Sequence, residues 1–275
     1  RGHRSAVLGV AVSPDGQKVV TTAHDGRAMV WDANGGQVLL AVNHHGVSVW
    51  GVAFAPDGDW IVTGDDLGSV VGWDAGSGAI RLPALNHPKA VRSLAFAPDG
   101  GRLVTACDDG LVRVWNPATR QLLFTLSGST HASRCVAIAP DGERLLSGSE
   151  DGTARLWELA TGRLLATLAP NAGGVHGVAF SPIDGVPVTA DDRWMRRWDP
   201  VTGKETRLQL AHLSGISALA SSVAGRRLLT ASADQTARIW SCFEQEPIAL
   251  KGHIGPVSSA ALAPDGQLVV TGGED

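Results

Sequence analysis

The stretch Ala90–Leu126 reads AVRSLAFAPDGGRLVTACDDGLVRVWNPATRQLLFTL, and its pattern decides the fold. Four runs rich in strand-forming residues lie at 90–97, 102–107, 111–115 and 121–126. Pro98-Asp99-Gly100 is a turn signal, because proline sets φ and glycine accepts a positive φ. Asp109-Gly110 favours a tight hairpin. The stretch therefore predicts four antiparallel strands with no helical periodicity.

The same unit recurs along the whole chain. Each copy ends on a tryptophan, and the tryptophans lie 42 residues apart, with one interval of 41, at Trp31, Trp73, Trp115, Trp157, Trp198 and Trp240. Four copies carry the phrase APDG and the first carries SPDG. A fixed period in the forties, with four strands per unit, predicts an all-β propeller whose four-stranded antiparallel units are its blades.

The repeated unit resembles the blade of the WD-repeat β-propellers (WD40 repeats), and the resemblance covers essentially the whole chain. In that family a buried tetrad of His, Ser/Thr, Asp and Trp ties each blade together. The resemblance implies complete tetrads in three copies: His3, Thr21, Asp25 and Trp31; His87, Thr105, Asp109 and Trp115; His212, Thr230, Asp234 and Trp240. Such groups tolerate burial only when each finds a partner.

The remaining copies depart from the tetrad pattern. Copy two places His45 in the histidine position and Leu67 where the aspartate belongs, so His45 is expected to lack a carboxylate partner. Copy four has Ser129 in the histidine position, and copy five has Pro170-Asn171 there. We therefore expect copies one, three and six to be the most firmly held.

The period also sets the blade boundaries. We predict one propeller domain over 1–275, with blades at about 1–42, 43–84, 85–126, 127–168, 169–210 and 211–251 and a partial one at 252–275. Seven units would need about 294 residues, whereas the chain has 275. The expectation is a seven-bladed propeller whose seventh blade is incomplete, with two strands, because the sequence is a fragment.

Composition excludes several function classes. The formal charge of −4 and the pI of about 6.1 argue against a nucleic-acid or membrane partner held by bulk charge. Three scattered cysteines favour reduced thiols and a cytoplasmic location. Neighbouring His44 and His45 have no Cys or carboxylate at ligand spacing, so no metal and no cofactor is expected. Hydrolase and nucleotide-binding motifs are missing, so catalysis is not predicted.

Positions at which the copies differ are the candidates for a binding surface. The resemblance implies that the residue just inside each first strand, and the one before each tetrad aspartate, reach the top face. A contiguous arc over blades two to five results: Trp50, Arg92, Arg134 and His176, with Asp66, Asp108, Glu150 and Asp191. Trp and Arg are frequent interface anchors. An alternative stays open, because a symmetric hairpin would place Arg92 opposite Asp108 and leave a solvated rim of ion pairs.

The resemblance implies a non-enzymatic scaffold or sensor module of a larger signalling protein, binding a protein or peptide on the top face. The alternatives from other classes are a propeller enzyme and a small-molecule sensor, each with a site at the central channel. The residues leave the identity of the partner and the oligomeric state open.

Overall fold

A computed structural model of the chain describes residues 2–44, 46–169, 173–241 and 246–275. Within these ranges the regular structure consists of β-strands. The same ranges contain no helix with the length and apolar character needed to cross a membrane.

The strands fall into groups of four that follow the sequence repeat. The first three groups are β1 (Val7–Val12), β2 (Lys18–Ala23), β3 (Arg27–Asp32) and β4 (Val38–Asn43); β5 (Val49–Phe54), β6 (Trp60–Asp65), β7 (Ser69–Asp74) and β8 (Ile80–Asn86); β9 (Val91–Phe96), β10 (Leu103–Cys107), β11 (Val112–Asn116) and β12 (Gln121–Leu126). The next three groups are β13 (Ser133–Ile138), β14 (Arg144–Ser149), β15 (Ala154–Glu158) and β16 (Leu164–Leu168); β17 (Val175–Phe180), β18 (Pro187–Asp191), β19 (Trp194–Trp198) and β20 (Glu205–Leu210); β21 (Ile216–Ser222), β22 (Arg227–Ser232), β23 (Ala237–Trp240) and β24 (Ile248–Leu250). The last two strands are β25 (Val257–Leu262) and β26 (Val269–Gly273).

Each group of four forms one antiparallel sheet in chain order, while β25 and β26 form a sheet of two strands. The first strands of neighbouring sheets contact one another around a ring, from β1 to β25. The ring closes where Ser258 Oγ donates a hydrogen bond to the carbonyl of Val7. The all-β propeller with four-stranded antiparallel blades is therefore confirmed. The blade count is met only in part, because the described residues form six complete blades rather than seven.

The turn phrase behaves as its residues require. In the third blade Gly100 has a φ of +70° and its N–H bonds the carbonyl of Ala97, which closes the turn between β9 and β10. A side chain at Gly100 would have to adopt the left-handed conformation that only glycine accepts without strain.

The hydrophobic core lies between blades. Trp157 of the fourth blade packs with Val104 and Val114 of the third, and Trp115 of the third packs with Val62 and Val70 of the second. Each blade therefore shares its apolar surface with its neighbours, so adjacent blades stabilise one another.

Candidate functional site

A β-bulge sits at the same position in the first strand of every sheet. In the third blade Val91 pairs with Cys107 and Ser93 pairs with Ala106, which leaves Arg92 as the extra residue. The same irregularity leaves out its counterparts Leu8, Trp50, Arg134, His176, Ser217 and Ser258. A bulge twists the strand and redirects the extra side chain. A symmetric hairpin would place Arg92 directly opposite Asp108. The bulge removes that pairing, so Arg92 has no direct partner in the ladder.

All seven bulge residues line the central channel. The channel holds a cavity of about 180 Å³, and its walls continue inward with small residues such as Gly9, Gly51 and Gly177. One side of its lining carries Trp50, Arg92 and Arg134, whereas Ser217 and Ser258 lie on the other. The channel mouth is therefore charged and aromatic over blades two to four, whereas Leu8, His176 and the two serines line the rest.

Arg92 and Arg134 each contact two carboxylates, one from their own blade and one from the preceding blade. Arg92 Nε and Nη2 lie 2.9 and 2.5 Å from Asp108 Oδ2, and Arg92 Nη1 lies 3.8 Å from Asp66 Oδ1. Arg134 Nε donates to Glu150 Oε1 at 2.7 Å, and its Nη1 donates to Asp108 Oδ1 at 3.3 Å. Alternating charges thus join blades two, three and four across the channel mouth.

Trp50 begins this chain of contacts. Its indole N–H donates to Asp66 Oδ1 at 2.9 Å, and its ring lies under the guanidinium of Arg92 at 3.9 Å. The ring of His24 meets the indole edge-on at 5.2 Å, and His24 Nδ1 lies 2.9 Å from Ser48 Oγ. The tryptophan is therefore held in one orientation by contacts on its face, its edge and its N–H.

We call the chain of side chains from Trp50 through Asp66, Arg92, Asp108 and Arg134 to Glu150 the charged arc. His176 follows it in blade five. Desolvation and the positive charge of Arg134 lower the pKa of His176, which favours its neutral imidazole.

Asp191 does not join the arc, which corrects the sequence prediction. Its side chain is fully buried and accepts a hydrogen bond from Arg196 Nε at 3.0 Å. Burial raises the pKa of Asp191 against the opposing effect of Arg196. Blade five is one residue short in the turn between β18 and β19, and Asp191 pairs with Val175 as Ser149 pairs with Ser133. Counting back from Trp198 crosses that deletion and misassigns the position.

Blades one and six contain the histidine network with its carboxylate. Trp31 Nε1 donates to Thr21 Oγ1 at 2.8 Å, His3 Nε2 lies 2.7 Å from the same hydroxyl, and His3 Nδ1 lies 3.1 Å from Asp25. Blade six repeats this geometry with Trp240, Thr230, His212 and Asp234. In the two-stranded sheet His253 joins Thr271 and Asp275 in the same way.

Blade three differs from the prediction. His87 Nε2 contacts Thr105 Oγ1 at 2.8 Å, but His87 Nδ1 lies 3.1 Å from the carbonyl of Gly68. Asp109 instead accepts a hydrogen bond from Arg113 Nη2 at 2.7 Å. The expected chain through His87 and Asp109 is therefore wrong, because Arg113 offers the carboxylate a full charge and the neutral imidazole already has a carbonyl.

Blade two uses a different histidine. His45 lies outside the described residues, so its expected lack of a carboxylate stays untested. The fully buried imidazole is that of His44, whose Nδ1 lies 3.0 Å from Asp65 Oδ2 and whose ring meets Trp73 edge-on. Asp65 Oδ1 also accepts the N–H groups of Leu67 and Ser69. Counting back from Trp73 gives His45 and Leu67, whereas the residues that meet are His44 and Asp65, one and two positions earlier. A fixed count therefore could not find this pair.

An arginine occupies the histidine's place in blade four. Arg155 donates to Ser129 Oγ at 2.9 Å, to the carbonyl of Gly128 at 2.7 Å and to Asp151 at 3.2 Å, while Trp157 donates to Ser147. Sequence reasoning missed this role. The signal was an arginine two residues before the blade tryptophan, which recurs in blades three to six.

The side chains at the channel mouth offer hydrogen-bond donors and acceptors. Within the described ranges no group of three or more His, Cys, Asp or Glu side chains is placed to hold a metal ion. The polar groups of the charged arc already contact one another, which holds a fixed pattern of donors and acceptors at the channel mouth.

Fold and site together define a repeat scaffold, a propeller of shared-core blades with a composite surface at its channel. The chain belongs to the family described as WD domain, G-beta repeat, which matches residues 1–32, 36–74, 82–116, 120–158, 203–241 and 245–275. The unmatched span 159–202 holds most of blade five, where the period is one residue short.

Two relatives share a segment of 99 residues with this chain. They are the U3 small nucleolar RNA-associated protein 15 homologs of Xenopus tropicalis, 31% identical, and of Xenopus laevis, 30% identical. The segment covers 36% of this chain and 19% of either relative. This chain thus matches about one fifth of the length of these relatives.

The comparisons bear on three expectations, of which they contradict one. The cytoplasmic location is wrong, because both relatives are by name associated with a small nucleolar RNA. The relatives give no support for a signalling role. The expectation that the protein has no nucleic-acid partner is also not supported, because the names of these relatives associate them with an RNA. What stands is the character of the family, whose propellers are typically non-enzymatic scaffolds that bind proteins.

Proposed function

We propose that this chain is a non-enzymatic scaffold that binds a protein or peptide segment at the channel mouth. One observation carries the proposal: bulges at equivalent positions direct Trp50, Arg92, Arg134 and His176 to the same channel in adjacent blades. Side chains displayed at a fixed period by a rigid ring form a composite surface without further ordering.

The residue types favour protein recognition. Tryptophan and arginine are enriched among residues that dominate binding energy, and both are held here by neighbours before any partner arrives. The contacts of Trp50 with Arg92 and Asp66 reduce the entropy that would be lost on binding. The ion pairs of the charged arc are therefore proposed as support for the surface rather than as a solvated rim.

A protein partner is favoured over a direct nucleic-acid partner. The names of the relatives bring RNA into consideration, so we also propose that the scaffold acts within a protein–RNA assembly. Phosphate contacts supply most of the affinity for nucleic acid, and they need free cations. Arg92 and Arg134 are each engaged by two carboxylates, and the chain carries a formal charge of −4.

The channel is a less suitable site for a small molecule. Its cavity of about 180 Å³ is smaller than the roughly 300–1,000 Å³ of ordinary ligand pockets. An enzyme or sensor at the channel therefore has less support than a scaffold whose partner lies across the mouth.

The sheet of β25 and β26 is proposed as the inner half of a seventh blade. It carries the same bulge, at Ser258, and His253, Thr271 and Asp275 repeat the contacts of blade one. Hydrogen exchange tests this proposal. The backbone amides of β26 that do not bond β25 should exchange slowly in the protein isolated from its own cells and fast in a polypeptide of residues 1–275. Fast exchange in both would contradict a completed blade.

We also propose that the propeller is one domain of a larger protein, as the matched segment is a small part of its relatives.

The scaffold is tested by affinity capture from native lysate with the parent and with Trp50→Ala/Arg134→Ala. Arg163→Ala, an exposed arginine on the rim of blade four, is the control. We expect the double variant to lose a protein that the parent and control retain after nuclease treatment. Equal recovery by all three, or capture abolished by nuclease, would contradict a protein partner at the arc.

A further inference from the structure

The charged arc ends in unused carboxylate oxygens at both sides. Asp108, at its centre, has both oxygens bonded, Oδ2 to Arg92 and Oδ1 to Arg134. Asp66 receives Trp50 and Arg92 on Oδ1, and Glu150 receives Arg134 on Oε1. Among the described residues no donor bonds Asp66 Oδ2 or Glu150 Oε2, so each end keeps a free acceptor.

The carboxylates at the two ends of the charged arc are also more exposed than its arginines. The side chains of Arg92 and Arg134 are 16% and 28% exposed, whereas those of Asp66 and Glu150 are 50% and 36% exposed. Two guanidinium groups face three carboxylates, so the arc as a whole is negative by one charge. A partner approaching the channel mouth therefore meets carboxylates first, while the cations are already covered by their ion pairs.

We infer that the charged arc recognises a basic segment of a partner protein, with one lysine or arginine at Asp66 and a second at Glu150. The inference rests on the proposed function and names the chemistry of its partner. A cation at each end completes the alternation of charges without displacing an existing pair, whereas an acidic side chain would have to break the contacts of Asp108 with Arg92 or Arg134.

Two features beside the arc suit such a segment. Away from the arc the channel lining includes Ser217 and Ser258 beside Leu8 and His176, and the two serines are the smallest of the seven bulge side chains, so a peptide backbone would meet least hindrance there. The face of Trp50 is covered by Arg92, so the indole acts as a wall for aliphatic stems rather than as an open stacking platform.

The test uses two dye-labelled synthetic peptides that differ only in charge, acetyl-GKAGKAG-amide and acetyl-GEAGEAG-amide, with binding read by fluorescence anisotropy. The variant is Asp66→Asn/Glu150→Gln, which keeps the oxygens that accept from Trp50 and Arg134. The matched control, Asp57→Asn/Glu143→Gln, removes the same charge from exposed turns of the same two blades. Thermal melting checks that both variants stay folded.

We expect the parent and the control to bind the lysine peptide at least about tenfold more tightly than the glutamate peptide at low salt, with the preference falling as salt rises. The arc variant should lose that preference. Equal affinity for both peptides, tighter binding of the glutamate peptide, or an unchanged preference in the arc variant would overturn the inference. If the variant fails to fold, the comparison of the two peptides on the parent decides.

The two proposals fail separately. Capture of a native partner that depends on Trp50 and Arg134, combined with no preference for the lysine peptide, would leave the scaffold in place and refute the basic segment. Capture that is independent of Trp50 and Arg134 would refute the arc as the binding surface.

Discussion

The guanidinium carbon of Arg92 lies 3.9 Å from the centre of the Trp50 indole ring, one repeat earlier in the chain. Both residues are the extra residues of equivalent bulges in adjacent blades. The contact therefore joins two blades at the channel mouth through side chains that their bulges turn toward each other.

This contact should be measurable by a double-mutant cycle. We expect Trp50→Leu and Arg92→Met to be coupled by about 0.5–1 kcal/mol in the free energy of unfolding by urea, because the ring quadrupole attracts the guanidinium. The cycle of Trp50→Leu with Arg163→Met, an exposed arginine that contacts Glu158 outside the charged arc, is the control and should give less than about 0.3 kcal/mol. A coupling no larger for Arg92 than for Arg163 would contradict the stacking.

In blade three the partner of Asp109 is Arg113. Their side chains are about nine-tenths buried, and the carboxylate lies 2.7 Å from Nη2. Asp109→Ala should destabilise the fold by about 1–3 kcal/mol, because it leaves a guanidinium buried without its ion pair. Adding Arg113→Met should recover part of that loss in thermal or urea unfolding. If the double variant is no more stable than Asp109→Ala, the carboxylate serves another group.

In blade two Asp65 already serves the buried histidine. Leu67→Asp, which restores the residue of the repeat pattern, should leave stability unchanged within about 0.5 kcal/mol, because Leu67 is exposed and Asp65 already lies against the imidazole of His44. Asp65→Ala should cost about 3 kcal/mol, since His44 is fully buried beside it. Urea unfolding of both variants checks this contrast, and a clear gain from Leu67→Asp would show that His44 lacks a sufficient partner.

The histidine network of blade six should make the fold sensitive to acid. Burial alone would raise the pKa of Asp234, but hydrogen bonds from Thr236, Leu213 and His212 hold it at about 2, down from 3.8. A depressed carboxylate pKa gives stability that is complete above about pH 4 and is lost as the pH falls through 2.

Burial also lowers the pKa of His212 below 6.5, despite Asp234. Its contribution has the same sign, being complete above pH 6.5 and lost at lower pH. We expect urea unfolding to show stability falling between pH 6.5 and 2, and Asp234→Asn to flatten the profile between pH 4 and 2. A variant profile parallel to that of the parent would contradict this role of Asp234.

Much of the architecture could be predicted because it repeats. Strand boundaries, turns and the antiparallel blades follow from alternation, from Pro-Asp-Gly and from six tryptophans at one period. The prediction worsened wherever the period broke, as at Asp191, where one deleted residue moved the carboxylate from the channel mouth into the blade. Fixed counting cannot locate a deletion within a turn.

The sequence by itself determined that four-stranded blades share their cores around a ring and that Trp50, Arg92 and Arg134 occupy one position in it, because local pattern and repeat spacing are properties of the chain. Only the tertiary structure decided which partners the polar groups take. Asp109 pairs with Arg113 and not with His87, and Asp108 bridges Arg92 and Arg134 of different blades. Competition among nearby donors for one carboxylate depends on distance and burial in three dimensions, and the bulges that aim the channel residues appear only when the strands pair.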